Sequence, residues 1–177
     1  MRIFIAILFS PAVKSKVSDI MEKLKEKNYH GQFTAHDNLH ITLHYLGETK
    51  KEKLIEVIQQ LQKIYLEPFT IQTNHLDTFG NGQRKKVLYL GLKKNKKLMD
   101  LHKIVIKQLN SIGYDIDHHS YTPHITLMKK LVIDDKAIEK IKFKAFEIEV
   151  NSISVMESKR CDGNLVYQEI KNIPLKK

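Results

Sequence analysis

Asn38-Leu39-His40-Ile41-Thr42-Leu43-His44-Tyr45-Leu46-Gly47 and Thr122-Pro123-His124-Ile125-Thr126-Leu127-Met128 contain the same tetrapeptide, His-Ile-Thr-Leu. In a β-strand, residues i and i+2 face the same way. His40 therefore shares a face with Thr42, and His124 with Thr126, while Ile41, Leu43, Ile125 and Leu127 point into a core. Each segment is expected to be a core-anchored strand that presents an imidazole and a hydroxyl roughly 6–7 Å apart. Regular alternation also places His44 on the His40 face, and Gly47 ends the first strand.

His40 and His124 are 84 residues apart, and the flanking apolar residues keep that spacing. Ile3 matches Val87, Phe4 matches Leu88 and Ile5 matches Tyr89. Val17, Ile20 and Met21 match Leu101, Ile104 and Val105, and beyond the motif Leu54 and Val57 match Ile138 and Ile141. Both halves read strand, helix, motif strand, helix, strand. This predicts a duplicated unit with repeat halves of about 1–85 and 86–177 in one two-lobed domain spanning 1–177. The expected class is α+β, with pseudo-twofold symmetry, two mixed or antiparallel sheets flanking a central cleft, and helices outside.

Ile3 to Leu8 reads as a buried strand and not as a secretion signal, because the apolar run is short and Pro11 and Lys14 follow at once. Asn81 to Lys85 is the nearest approach to a linker. Ala137, Ile138 and Ile141 suggest a short helix, and Phe143 to Val155 one long strand. Asp162-Gly163 is expected to turn the chain into a last strand, Leu165 to Ile170.

The 177 residues are 42% apolar and 28% charged, which describes an ordinary globular chain. No segment approaches the roughly 20 apolar residues of a membrane-spanning helix. The formal charge of +10 favours a polyanionic partner. Cys161 is the only cysteine, so no intrachain disulfide can form, and a reducing cytoplasm is expected. His118-His119 has no acidic or cysteine partner at metal-ligand spacing, so no metal is expected.

Two motif strands facing across a groove offer two imidazoles and two hydroxyls to one guest, and a phosphate suits that set. Cleavage of a phosphoester beside a ribose hydroxyl needs a base for the nucleophile and an acid for the leaving oxygen. Two histidines supply both near neutral pH without a metal or other cofactor. The threonine hydroxyls can donate to non-bridging oxygens. Tyr45 and Tyr121 flank the motifs and can stack on a base or pack.

Asn38-Leu39-His40-Ile41-Thr42-Leu43 with Leu46-Gly47-Glu48, and Thr122-Pro123-His124-Ile125-Thr126-Leu127, resemble the paired motifs of the two-histidine phosphoesterases. Met1 to Ile7, Val87 to Gly91, and Glu157-Ser158 with Gly163 and Tyr167 extend the resemblance nearly end to end. Within that group the chain is most similar to the bacterial and archaeal RNA 2′,3′-cyclic phosphodiesterases of the 2′-5′ RNA ligase family. The resemblance implies a two-lobed fold and hydrolysis of RNA 2′,3′-cyclic phosphate ends to 2′-phosphates. It implies His40 as proton donor, His124 as proton acceptor, and Thr42 and Thr126 as phosphate ligands. Many relatives carry Arg two residues after the second motif; here Lys129 stands there, supplying charge without the bidentate fork. The expected partner is an RNA or oligonucleotide end bearing a cyclic phosphate, bound by a monomer with no obligate protein partner. The alternatives are a phosphodiesterase acting on other 2′-5′-linked or cyclic nucleotides, and a non-catalytic module that binds RNA ends.

Overall fold

The structure, a computed structural model, describes every residue except 81–85, 118–119, 132–137, 139–140 and 177. Strand β1 (Arg2–Leu8) leads into helix α1 (Pro11–Glu26). Ser10 caps α1 by accepting the Val13 N–H, and Pro11 occupies its first turn, where no N–H is needed. Short β2 (Gln32–Phe33) and a 3-10 turn (His36–Asn38) precede the first motif strand, β3 (His40–Glu48). Helix α2 (Lys51–Leu61), β4 (Phe69–Phe79), β5 (Lys86–Leu92) and α3 (Lys96–Asn110) follow. The second motif opens β6 (His124–Leu131); β7 (Glu147–Val150), β8 (Ser152–Cys161) and β9 (Asn164–Pro174) complete the chain. No helix among the described residues is long and apolar enough to cross a membrane.

The strands are ordered β7-β4-β5-β6-β3-β1-β8-β9, with β2 added beside β6, and every named pairing is antiparallel. The class is the expected α+β, with a curled antiparallel sheet. The two lobes of the sheet meet at one residue pair, Ile41 opposite Ile125. Ile3, Ile5, Ile7, Ile41, Ile125 and Leu127 point to the face covered by the helices, where they pack with Val17, Leu24, Leu101 and Val105. Burying each such side chain stabilises the fold by about 1.5–3 kcal/mol before entropic costs. The opposite face is concave and carries the motif histidines.

The spatial lobes do not coincide with the sequence repeats. β4, from the first half, pairs with β5 of the second, whereas β8 and β9, from the second half, complete the sheet beside β1. Each half thus gives its last strands to the other lobe. This crossing corrects the expectation of a single strand from Phe143 to Val155. β7 pairs with β4 in one lobe, the chain crosses at Asn151, and β8 pairs with β1 in the other. The sequence carries the signal as a phase slip, since Ile148 and Val150 are buried on even positions and Ile153 and Val155 on odd ones.

The 84-residue register holds for the motif strands and drifts elsewhere. Thr42 is opposite Ala6 and Thr126 opposite Tyr89, so the first strands correspond at 83, with Ile5 matching Leu88. Pairing Ile5 with Tyr89 would set a core residue against one on the concave face. The buried faces of α1 and α3 correspond at 85, as Val13 to Leu98 and Leu24 to Leu109. The final strand is longer than expected, running from Asn164 to Pro174. Ala137 and the 81–85 segment lie outside the described residues.

Candidate active site

Both motif histidines sit at the first residue of their strands, half-buried, and both are anchored in the same way. His40 Nδ1 lies 2.6 Å from the carbonyl oxygen of Asn38, and His124 Nδ1 lies 2.7 Å from that of Thr122. A carbonyl only accepts, so in each ring Nδ1 carries the proton. In the neutral tautomer Nε2 is then the free lone pair. His40 Nε2 is 2.9 Å from Thr42 Oγ1. Because Ile41 faces Ile125 in antiparallel register, Thr42 falls opposite His124 and His40 opposite Thr126. The four groups occupy alternating corners around the seam, on neighbouring paired strands of one sheet and not on strands facing each other across a groove.

Aromatic rings fix each imidazole. Phe4 and Tyr167 lie 5.1 and 5.2 Å from the His40 ring, the latter edge-on. Phe79 and Tyr89 lie 4.8 and 5.3 Å from that of His124, and they stack on each other at 4.2 Å. Tyr89 is held in turn by its hydroxyl, which donates to Asp77 at 3.2 Å. Asn38, which is buried, ties the first site to β9. Its Nδ2 donates to the Leu165 carbonyl at 2.8 Å and its Oδ1 accepts from the Tyr167 N–H at 3.2 Å. The same residue's carbonyl holds His40. Sequence reasoning missed Asn38, Phe4, Phe79 and Tyr89 as site residues; only the position of Asn38, two before His40 as Thr122 is two before His124, offered a hint.

Matched β-bulges decide what else reaches the concave face. Between the pairs Ala6–Thr42 and Ile5–His44, β3 spends an extra residue, Leu43. Between Tyr89–Thr126 and Leu88–Met128, β6 spends Leu127. A bulge re-aims everything beyond it. His44 is therefore opposite core-facing Ile5 and does not share the His40 face, contrary to the regular-strand expectation. Tyr45 takes that face instead, opposite Phe4, with which it stacks at 6.4 Å. By the same shift Met128 enters the core, and the next residue, exposed Lys129, is released toward the cleft. Tyr121 packs: its ring stacks on His102 at 3.9 Å and its hydroxyl donates to the Thr42 carbonyl.

Electrostatics favour the uncharged form of His40. Its pKa is held below the ordinary 6.5, first by burial, while the bond to the Asn38 carbonyl opposes the shift. The charges of His124, Lys129 and Lys14 push it down further. Lys129 thus acts on the first histidine from the second lobe, and Lys14, unmarked by any motif, acts on it from α1. A groove of about 820 Å³ runs from Thr42 and His124 past Tyr45 and Phe79 toward Asp115 and Tyr121. Among the described residues, no group of three or more His, Cys, Asp or Glu side chains gathers as a metal site; His118-His119 lies outside them.

Residues 12–162 match the family described as the 2′-5′ RNA ligase superfamily. The chain is 29% identical to an RNA 2′,3′-cyclic phosphodiesterase of Methanocaldococcus jannaschii, covering 97% of this chain and 99% of the relative. It is likewise 29% identical to one from Thermotoga maritima, over 95% and 92% of the two chains. Among solved structures, E. coli LigT complexed with 3′-AMP superposes with a TM-score of 0.80 at 25% identity, covering 99% of this chain and 98% of that one. With the family match spanning most of its length and both motifs in one cleft, the chain belongs to the 2′-5′ RNA ligase superfamily.

Proposed function

We propose that this protein hydrolyses 2′,3′-cyclic phosphate ends of RNA to 2′-phosphates by acid–base catalysis with two histidines and no metal. One observation carries the reading: two imidazoles, each anchored through Nδ1 to the carbonyl two residues upstream, are set on neighbouring strands across the Ile41–Ile125 seam. The names of the archaeal and bacterial relatives and the 3′-AMP bound by E. coli LigT supply the ligand class.

In this mechanism the cyclic phosphate lies between the two lobes. His124 Nε2 accepts a proton from water as the oxygen attacks phosphorus. The bond from phosphorus to the 3′-oxygen breaks, and His40 Nε2 delivers its proton to that oxygen, leaving a 2′-phosphate. His40 is neutral-biased in the free cleft, and the substrate's negative charge counters that bias when it binds. Protonation has a second effect through Thr42. Neutral His40 accepts the Thr42 O–H at 2.9 Å; once protonated, Nε2 no longer accepts, which frees the Thr42 hydroxyl proton for a phosphate oxygen and leaves the Nε2 proton for the 3′-oxygen. Thr126 is the counterpart on β6, and Lys129 neutralises charge on the non-bridging oxygens.

The test is RNA ending in a 2′,3′-cyclic phosphate, incubated with EDTA from about pH 5 to about pH 9, with the product identified. Hydrolysis to the 2′-phosphate is expected. His40→Ala and His124→Ala should each lose about 10²–10⁴-fold in kcat. Binding without turnover at any pH would replace the enzyme reading with an RNA-end-binding module.

A further inference from the structure

Lys14 has no role in the chemistry above, yet it is held close to it. It lies in the first turns of α1 with its stem half-buried. Its Nζ donates to the Asp37 carbonyl at 3.4 Å, one peptide before the Asn38 carbonyl that anchors His40. The 3-10 turn bearing both carbonyls is tied to α1 a second time, by Ser18 Oγ and His36 Nδ1 at 2.8 Å. Among the described residues no carboxylate forms an ion pair with Lys14. The ammonium is therefore presented with one weak carbonyl contact, and its positive charge is felt at the His40 ring.

Its side of the ring matters. Asp37 and Asn38 lie on the Nδ1 side of His40, while the reacting phosphate belongs at Nε2, across the ring beside Thr42. Lys14 is thus tied to the turn that holds the Nδ1 edge of His40, not to the Nε2 edge beside Thr42, and Lys129 stands on β6 of the other lobe. An RNA end differs from a nucleoside 2′,3′-cyclic monophosphate by one anionic group near the site, the phosphodiester on the 5′ side of the terminal nucleotide.

We propose that Lys14 binds that neighbouring phosphodiester, so that the protein recognises an RNA end by two phosphates, one at the Thr42–Thr126–Lys129 cradle and one at Lys14. The inference rests on the proposed substrate class and adds to it a preference for oligonucleotides over mononucleotides.

Three substrates ending in the same 2′,3′-cyclic phosphate test it: a mononucleotide, a dinucleotide, and that dinucleotide with a neutral methylphosphonate linkage. The wild type should favour the charged dinucleotide over its methylphosphonate twin by about tenfold in kcat/KM, the size of one charge-assisted contact. Lys14→Gln should bring that ratio near one, and Lys14→Arg should keep it. The ratio is insensitive to the change in His40 acidity that loss of Lys14 also brings, because both dinucleotides meet the same histidine. Equal losses on both dinucleotides in Lys14→Gln, or a ratio that survives it, overturns the proposal. If the wild type turns over nothing, the catalytic reading fails on its own, and equilibrium binding of the same two dinucleotides to wild type and Lys14→Gln still decides the role of Lys14.

Discussion

Replacing Asn38 with Ala should damage stability and catalysis together, because one side chain joins β9 to the turn that carries His40. The substitution deletes the bonds at 2.8 Å to the Leu165 carbonyl and at 3.2 Å from the Tyr167 N–H. Each is worth about 1 kcal/mol net, so the loss is about 2 kcal/mol if water partly satisfies the orphaned groups. For a chain of this size that lowers Tm by about 4–8 °C. The Asn38 carbonyl remains as the His40 anchor, but it and the Tyr167 ring lose their tether, and kcat/KM should fall by about tenfold to a hundredfold. Asn38→Asp separates the two effects. It keeps an acceptor for the Tyr167 N–H, loses the donor to Leu165, and places a negative charge near the imidazole, which raises the His40 pKa. Thermal unfolding and pH–rate profiles of both variants are the assay. An Ala variant with unchanged Tm and kcat/KM, or an Asp variant whose profile does not move upward, refutes the reasoning.

The pH dependence of kcat/KM reports the free enzyme. Activity needs one histidine protonated and the other neutral, so the profile is a bell whose limbs belong to the pair, and with the His40 pKa held below 6.5 the lower limb should lie below 6.5. Lys129→Gln removes one of the charges that depress it and should move that lower limb upward while raising KM; a wild-type profile with both limbs at or above 6.5, or a lower limb that does not move in Lys129→Gln, removes His40 from the acid–base pair. Gly31→Ala would set a Cβ 2.6 Å from Met128 Sδ and 2.8 Å from the Lys129 carbonyl. It should destabilise by about 1–3 kcal/mol through overpacking and, by shifting Lys129, alter KM more than kcat; an unchanged Tm and KM would show that β6 yields there without cost.

The motif strands, the helices and the α+β class were legible because they depend on local periodicity. His40 and Thr42 share a face by simple alternation, and the buried stripes of α1 and α3 repeat at helical spacing. What was hidden is non-local. Bulges at Leu43 and Leu127 leave the apolar pattern nearly intact, yet they exchange His44 for Tyr45 and release Lys129. Asn38 matters because β9 reaches it across 127 residues, and no spacing within either motif announces such a contact. Lys14 looks like any solvated helical lysine until the fold sets α1 beside the turn before His40.

The exchange of last strands between the halves also has a consequence for how the protein is made. Ala6 of β1 waits for Ser154 of β8, and Ser154 in turn pairs with Asn172 of β9. On the ribosome, the lobe that holds His40 stays incomplete until β8 and β9 have emerged, so the N-terminal repeat alone can form only the β1–β3 pair of that lobe's sheet. Contacts this distant in sequence slow folding and bind the two lobes into one cooperative unit. A nick in either repeat should therefore cost both histidines their setting at once.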